Sequence, residues 1–224
     1  MTEREIALDT ETTGLSPQGG HRIVEIGCVE MENRIPTGRV FHAYLNPERS
    51  MPEEAFRIHG ISEEFLKDKP LFGAVARDFL EFIADARLVI HNADFDIKFL
   101  NAELTHARAK NILDAQVFCT LKHARKTYPG APASLDALCK RFGVDLSARN
   151  FHGALLDAQL LAAMYLELMG GSQQAMTLER QGAAAREAMV RAALPARDFP
   201  PTGEELAAHA EFLKKIKNPV WGSA

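Results

Sequence analysis

With 224 residues, 46% hydrophobic and 25% charged, the chain has room for one ordinary domain and something smaller attached. No apolar run approaches the roughly 20 residues of a membrane helix, and the opening Met-Thr-Glu-Arg-Glu has no signal-peptide core, so a cytoplasmic protein without membrane contact is expected. The net charge of −4 argues against bulk electrostatic gripping of nucleic acid, though not against an enzyme that holds one end of it in an acidic, metal-filled pocket.

In chain order, residues 4–9 read as a strand, Ile23-Val-Glu-Ile-Gly-Cys-Val29 as a second and Val40-Phe-His-Ala-Tyr-Leu45 as a third, together an antiparallel meander. Val75, Phe79, Phe82 and Ile83 recur at helical spacing and predict an amphipathic helix over 73–84. Leu88-Val-Ile90 is a short buried strand, followed by a helix marked by Phe95, Phe99, Leu100 and Leu104. Ile112-Leu113 reads as one more short strand before a helix around 116–127. Ser134 is an N-cap for a helix with Leu135, Leu138, Cys139 and Phe142 on its inner face. Residues 153–169 form the strongest helix, stopped by Gly170-Gly171. Strands first and βα alternation afterwards describe an α/β fold, a mixed sheet covered by helices. Cys28, Cys119 and Cys139, odd in number and in apolar surroundings, read as reduced buried thiols.

The chemistry starts in Ile6-Ala-Leu-Asp-Thr-Glu-Thr-Thr-Gly14, where an apolar strand delivers Asp9 and Glu11 just before a turn. Side chains at i and i+2 of a strand share a face, so two negative charges enter one small volume, a costly arrangement unless a cation fills it. Asp96 follows the buried strand at 88–90, and His152 precedes Asp157 at the entry to the strongest helix. A spacing of five puts His152 on the loop and Asp157 on the helix, facing inward. Hard oxygen ligands without cysteine suit two divalent ions, Mg²⁺ or Mn²⁺. Two such ions about 3.5–4 Å apart clamp the attacking and leaving oxygens of a phosphodiester, and a histidine takes the proton of the attacking water.

Asp9-Thr-Glu-Thr-Thr-Gly14, Ile58-His-Gly-Ile61, His91-Asn-Ala-Asp-Phe-Asp96 and His152-x4-Asp157 resemble, in order, the motifs of the DEDDh 3′→5′ exonucleases over roughly residues 4–170. The resemblance implies a ribonuclease H-like fold, with Asp9, Glu11, Asp96 and Asp157 as metal-binding acids and His152 as general base. It implies further that Asp9, Glu11 and Asp157 hold the first metal, that Asp9 bridges to the second, and that Asp96 acts on the second. Asp96 matches the third motif better than Asp94, because it directly follows Phe95. By the same resemblance Thr12, Gly14, Leu15, Ile58, His59 and Phe95 hold the terminal nucleotide at the DNA 3′ end, with apolar wedges and an aromatic face that tolerate any base.

After Gly171 the composition turns rich in Ala, Gln and Arg, and three parts are expected: a catalytic domain over 1–171, a tether over 172–202 and a docking segment over 203–224. A stretch at 183–193 has helical character with little to dock against. Gln173-Gln-Ala-Met-Thr-Leu178 resembles the short motif with which bacterial replication proteins bind the sliding clamp, so Gln173, Met176 and Leu178 are the expected clamp contacts. Thr202-Gly-Glu-Glu205 forms a capping box that opens a short helix with Leu206, Ala210, Leu213 and Ile216 on one face. Glu204-Glu-Leu-Ala-Ala-His209 and Trp221 resemble the tail by which proofreading subunits of bacterial replicative polymerases bind the polymerase alpha subunit. The expected activity is therefore removal of mispaired 3′ nucleotides beside a polymerase and its clamp, with room for a small accessory subunit. The alternatives are a stand-alone exonuclease acting on RNA or single-stranded DNA, and an inactive scaffold joining clamp to polymerase; the intact acid set argues against the scaffold.

Overall fold

The structure, a computed structural model, describes residues 3–147, 151–171 and 200–217. The chain divides into two compact units, Met1–Ala175 and Met176–Ala224. The first is built on a five-stranded mixed sheet of order β3-β2-β1-β4-β5, where β1 is Arg4–Thr12, β2 Ile23–Glu32, β3 Ile35–Tyr44, β4 Arg87–Ile90 and β5 Val117–Cys119. β1, β2 and β3 pair antiparallel, whereas β4 and β5 run parallel to β1. Asn33 and Arg34, both at positive φ (51° and 70°), turn β2 into β3, the left-handed pair that matches strand twist in a two-residue hairpin.

The helices are α1 Glu53–His59, α2 Glu63–Leu66, α3 Phe72–Ile83, α4 Ala93–His106, α5 Thr120–Thr127, α6 Leu135–Phe142 and α7 Ala154–Leu168. Alternation along β1 sorts the core into two layers. Ile6 and Leu8 join Phe79, Ile83, Phe99 and Leu100 from α3 and α4. Ala7 faces the other way, onto Leu138 of α6 and Leu161, Met164 and Tyr165 of α7. A fully buried leucine-sized side chain contributes about 1.5–3 kcal/mol, so both layers are strongly held. A bidentate pair, Arg22 Nε and Nη2 to the Glu103 oxygens at 2.7 and 2.8 Å, ties α4 to the start of β2.

Two differences from the sequence expectations have plain causes. The fifth strand lies at Val117–Cys119, not at Ile112-Leu113, so the helix expected around 116–127 begins only at Thr120. Asn101 satisfies both backbone groups of Ile112 (2.8 and 3.2 Å), which leaves that residue no need of a strand partner. The short helices α1 and α2 had no apolar periodicity to reveal them, since most of their residues are exposed. The three cysteines are free thiols, Cys28 and Cys139 buried and Cys119 partly so.

In the second unit, α8 spans Gly203–Leu213 and opens with the expected capping box: Glu205 N–H donates to Thr202 Oγ1 at 3.3 Å and Thr202 N–H to Glu205 Oε2 at 2.8 Å. Ile216 lies beyond its last turn rather than on the helix. Gln173, Met176, Leu178, the stretch 183–193 and Trp221 fall outside the described residues. No helix among the described residues is long and apolar enough to cross a membrane.

Candidate active site

The site opens where β4 stops. β4 ends at Ile90, opposite Leu8, so Asp9 to Thr12 overhang the sheet on that side. On this overhang Asp9 and Glu11 continue the Ala7 face, the face covered by α7; Glu5 on the same face accepts a bond from the Tyr165 hydroxyl at 2.7 Å. Asp157, one turn into α7, meets them from above, and His152 sits on the preceding loop with its N–H on Ile58 O at 3.2 Å. His152 Nδ1 lies 3.3 Å from Asp157 Oδ2, and ligand atoms of Glu11, His152 and Asp157 all fall within 4.8 Å of one another. Asp9 and Asp96 stand outside that trio but line the same cavity of about 690 Å³, which thus gathers all five residues singled out in the sequence.

Asp96 arrives from the opposite layer. It lies in the first turn of α4 and accepts the Thr10 hydroxyl at 2.7 Å, Thr10 being the β1 residue that points away from Asp9 and Glu11. Asp94 does not line this cavity: it is exposed, pairs with Lys122 at 2.8 Å and lines two neighbouring cavities. Burial pushes the Asp96 carboxyl up to about 7, the Thr10 hydroxyl opposing the shift. Because the folded value lies above the ordinary one, this group favours the fold fully below about pH 4, and that contribution is lost as pH rises through about 7. Metal-free protein is expected to show a falling urea midpoint between about pH 4 and 7, and Asp96→Asn a flatter profile over that range. Identical profiles for the two proteins would remove Asp96 from this role.

Around the opening, Leu15 is 87% and Ile58 53% exposed, so neither serves the core. Phe95 lines both the main cavity and a smaller one of about 410 Å³ shared with Leu15. His59 is buried; its Nδ1 accepts the Ile61 N–H at 3.0 Å, which leaves Nε2 as the protonated nitrogen, and burial holds its pKa below the usual value. Thr12 Oγ1 donates to Gly14 O at 2.6 Å. Gly14 is glycine for space: a Cβ there would lie 2.4 Å from the His21 ring.

Four residues at or beside the site escaped the sequence reading as functional positions. His91 lines the cavity, bonds Thr120 Oγ1 through Nδ1 at 3.0 Å, and is pushed down to about 4 by burial, hence neutral at pH 7. Arg125 brings a cation to the same wall. Gly27, paired with Asp9 across β1 and β2, lies directly under the first turn of α7. Glu25, opposite Glu11, is the fourth; a charged residue inside the otherwise apolar run 23–29 was the available signal.

The donor set fits a divalent metal ion: carboxylates from β1, α4 and α7 converge on one cavity, and burial alone raises the affinity of Asp96 for a proton, a cost that a cation removes. The fold and this site define a metal-dependent exonuclease, and the protein-family model described as Exonuclease matches residues 6–165. Among curated relatives, the DNA polymerase III subunit epsilon of Rickettsia conorii is 56% identical over 221 residues, covering 95% of this chain and 96% of the relative. That of Escherichia coli is 47% identical over 228 residues, covering 96% and 93%. Among solved structures, exonuclease X in complex with 5′ overhanging duplex DNA is 28% identical at a TM-score of 0.56, over 74% of this chain and 90% of that one. The nuclease domain of 3′hExo, a DEDDh family member bound to rAMP, shares the fold alone, at 19% identity, TM-score 0.65, 75% of this chain and 92% of that one. The chain belongs to this exonuclease family, together with the DNA polymerase III epsilon subunits.

Proposed function

We propose that this chain removes nucleotides one at a time from the 3′ end of DNA and proofreads for a bacterial replicative polymerase. The observation that carries the reading is the convergence of Asp9, Glu11, Asp96, His152 and Asp157 on one cavity at the overhanging end of β1. Asp9, Glu11 and Asp157 would hold one divalent ion, with Asp9 and Asp96 serving a second, Mg²⁺ or Mn²⁺. When bound, these ions supply Lewis-acid polarisation of the phosphate and lower the pKa of the attacking water. His152 is the base: its Nδ1 stands 3.3 Å from Asp157 Oδ2, which places the ring beside the acids to take the proton from the attacking water. Thr12, Gly14 and His59 would seat the terminal nucleotide, and exposed Leu15 and Ile58 with half-buried Phe95 would offer its base an apolar and aromatic surface without reading its identity. A mispaired end unstacks at lower cost than a paired one and so reaches this cavity more often.

The partner assignments rest on the tail: the alpha subunit of polymerase III through 203–224, and the sliding clamp through Gln173, Met176 and Leu178. Supporting the first, α8 leaves Leu206 and Phe212 exposed, 54% and 60%. The deciding assay incubates the purified chain and Mg²⁺ with mismatched DNA, paired DNA and RNA. Faster release of mononucleotides from the mismatched 3′ end is expected; absent activity, or a strong preference for RNA, overturns the reading. Removing residues 203–224 should leave hydrolysis of short oligonucleotides within about twofold, because these residues belong to a separate compact unit and share no side chain with the site, and abolish co-purification with the polymerase. Tight polymerase binding by the shortened protein would place the docking surface elsewhere.

A further inference from the structure

We propose that Glu25 is a positioning residue for hydrolysis: reaching across from β2, it caps the N-terminus of α7 and thereby sets His152 and Asp157 in place. The inference rests on the exonuclease reading above. α7 begins with Gly153 as its N-cap residue, and glycine has no side chain with which to satisfy the first helical N–H groups. Glu25 Oε2 accepts the Ala154 N–H at 3.0 Å from 129 residues away. Its other oxygen, Oε1, lies 2.7 Å from His42 Nε2 on β3. Glu25 is 2% exposed and faces Tyr44, whose hydroxyl is held above its usual pKa by burial first and by Glu25 second.

The register makes the consequence specific. Glu25 stands directly opposite Glu11 on β1, so a fifth carboxylate lies beside the four catalytic acids. Yet both its oxygens are turned to Ala154 and His42, and it does not line the cavity. A buried carboxylate next to another is tolerable when it is fully hydrogen-bonded and faces the positive end of a helix. Here that helix end is the one bearing Asp157, while His152 sits two residues before Ala154, held on its other side by Ile58 O. Glu25 and Ile58 clamp the loop from two directions. A displacement of about 1 Å at such a point costs on the order of a hundredfold in rate.

The test compares Glu25→Ala, Glu25→Gln and His42→Ala with the full-length protein. Glu25→Ala should lower kcat about 100-fold with KM changed less than about threefold, because the base and an acid are displaced while the nucleotide seat remains. Glu25→Gln keeps an oxygen for Ala154 N–H and offers an amide N–H to His42 in its other tautomer, so it should stay within about tenfold of wild type. Amide exchange at Ala154, which requires no activity, should be at least about tenfold faster in Glu25→Ala and near wild type in Glu25→Gln. Wild-type kcat or wild-type exchange in Glu25→Ala overturns the proposal. Equal inactivity of Glu25→Ala and Glu25→Gln also overturns it and makes Glu25 a charge acting on the metals. Should Glu25→Ala not fold, His42→Ala decides: faster Ala154 exchange with reduced kcat supports the cap, and no change in either overturns it. If the wild-type protein itself lacks exonuclease activity, the functional reading fails while the exchange result still judges the cap.

Discussion

Replacing Asp9 with alanine should lower hydrolysis by roughly 10⁴-fold, the scale on which one member of a cooperating catalytic set is lost, without unfolding the protein. Asp9 shares the Ala7 face with Glu11 and lines the cavity that also holds Asp96, His152 and Asp157. In the proposed mechanism it is the one acid that serves both metal ions, so its removal affects both. The fold does not depend on it in the same way, because metal-free carboxylates crowded into one volume repel. The thermal midpoint of metal-free Asp9→Ala is therefore expected at or above that of metal-free wild type, while stabilisation by added Mn²⁺ largely disappears. Turnover within about 100-fold of wild type, or undiminished stabilisation by Mn²⁺, would remove Asp9 from the metal set; the 100-fold limit is the size of a single lost hydrogen-bond donor rather than of a lost metal site.

What the sequence reveals about this site, and what it hides, follows from how local each determinant is. The i, i+2 spacing of Asp9 and Glu11 places both on one face of β1 through backbone geometry alone. The loop position of His152 and the early-helix position of Asp157 follow equally locally, from the onset of apolar periodicity. α7 and α6 were legible because their inner faces are continuous, α8 because its capping box is written in four adjacent residues. The strand at Val117–Cys119 was hidden because the side chain of Asn101, on the preceding helix, relieves Ile112 of any need to pair. α1 and α2 were hidden because helices of seven and four residues expose most of their surface. The position of Asp96 needed tertiary information: it comes from α4, on the far side of the sheet, and reaches the cavity past the end of β4. Glu25 and Gly27 are the clearest case of hidden function, since their roles are defined only by Ala154, more than 120 residues later.

Gly27→Ala is expected to damage both stability and catalysis, although residue 27 touches neither substrate nor metal in the proposed mechanism. A Cβ at this position would lie 2.3 Å from the carbonyl carbon of Ala154 and 2.3 Å from the nitrogen of Leu155. These are backbone atoms of the first turn of α7, with no flexible side-chain end to swing aside. Either that turn lifts from β2 or β2 bows away from it, and overpacking of this kind costs about 1–3 kcal/mol. Both responses move the catalytic groups, because Gly27 pairs with Asp9 on one side and supports the turn preceding Asp157 on the other. A shift of about 1 Å in Asp157 relative to Asp9 is expected to reduce kcat about 100-fold. Gly38 is the matched control. It has φ of +90° but nothing within 4 Å of a Cβ, so Gly38→Ala bears only backbone strain, on the order of 1 kcal/mol, and leaves kcat unchanged. Urea unfolding and single-turnover hydrolysis of both variants separate the two effects. If Gly27→Ala matches wild type in both measurements, α7 is not seated on β2 at this point. If it loses stability but keeps kcat, β2 has yielded without moving Asp9, and the close approach at Gly27 serves the fold rather than the chemistry.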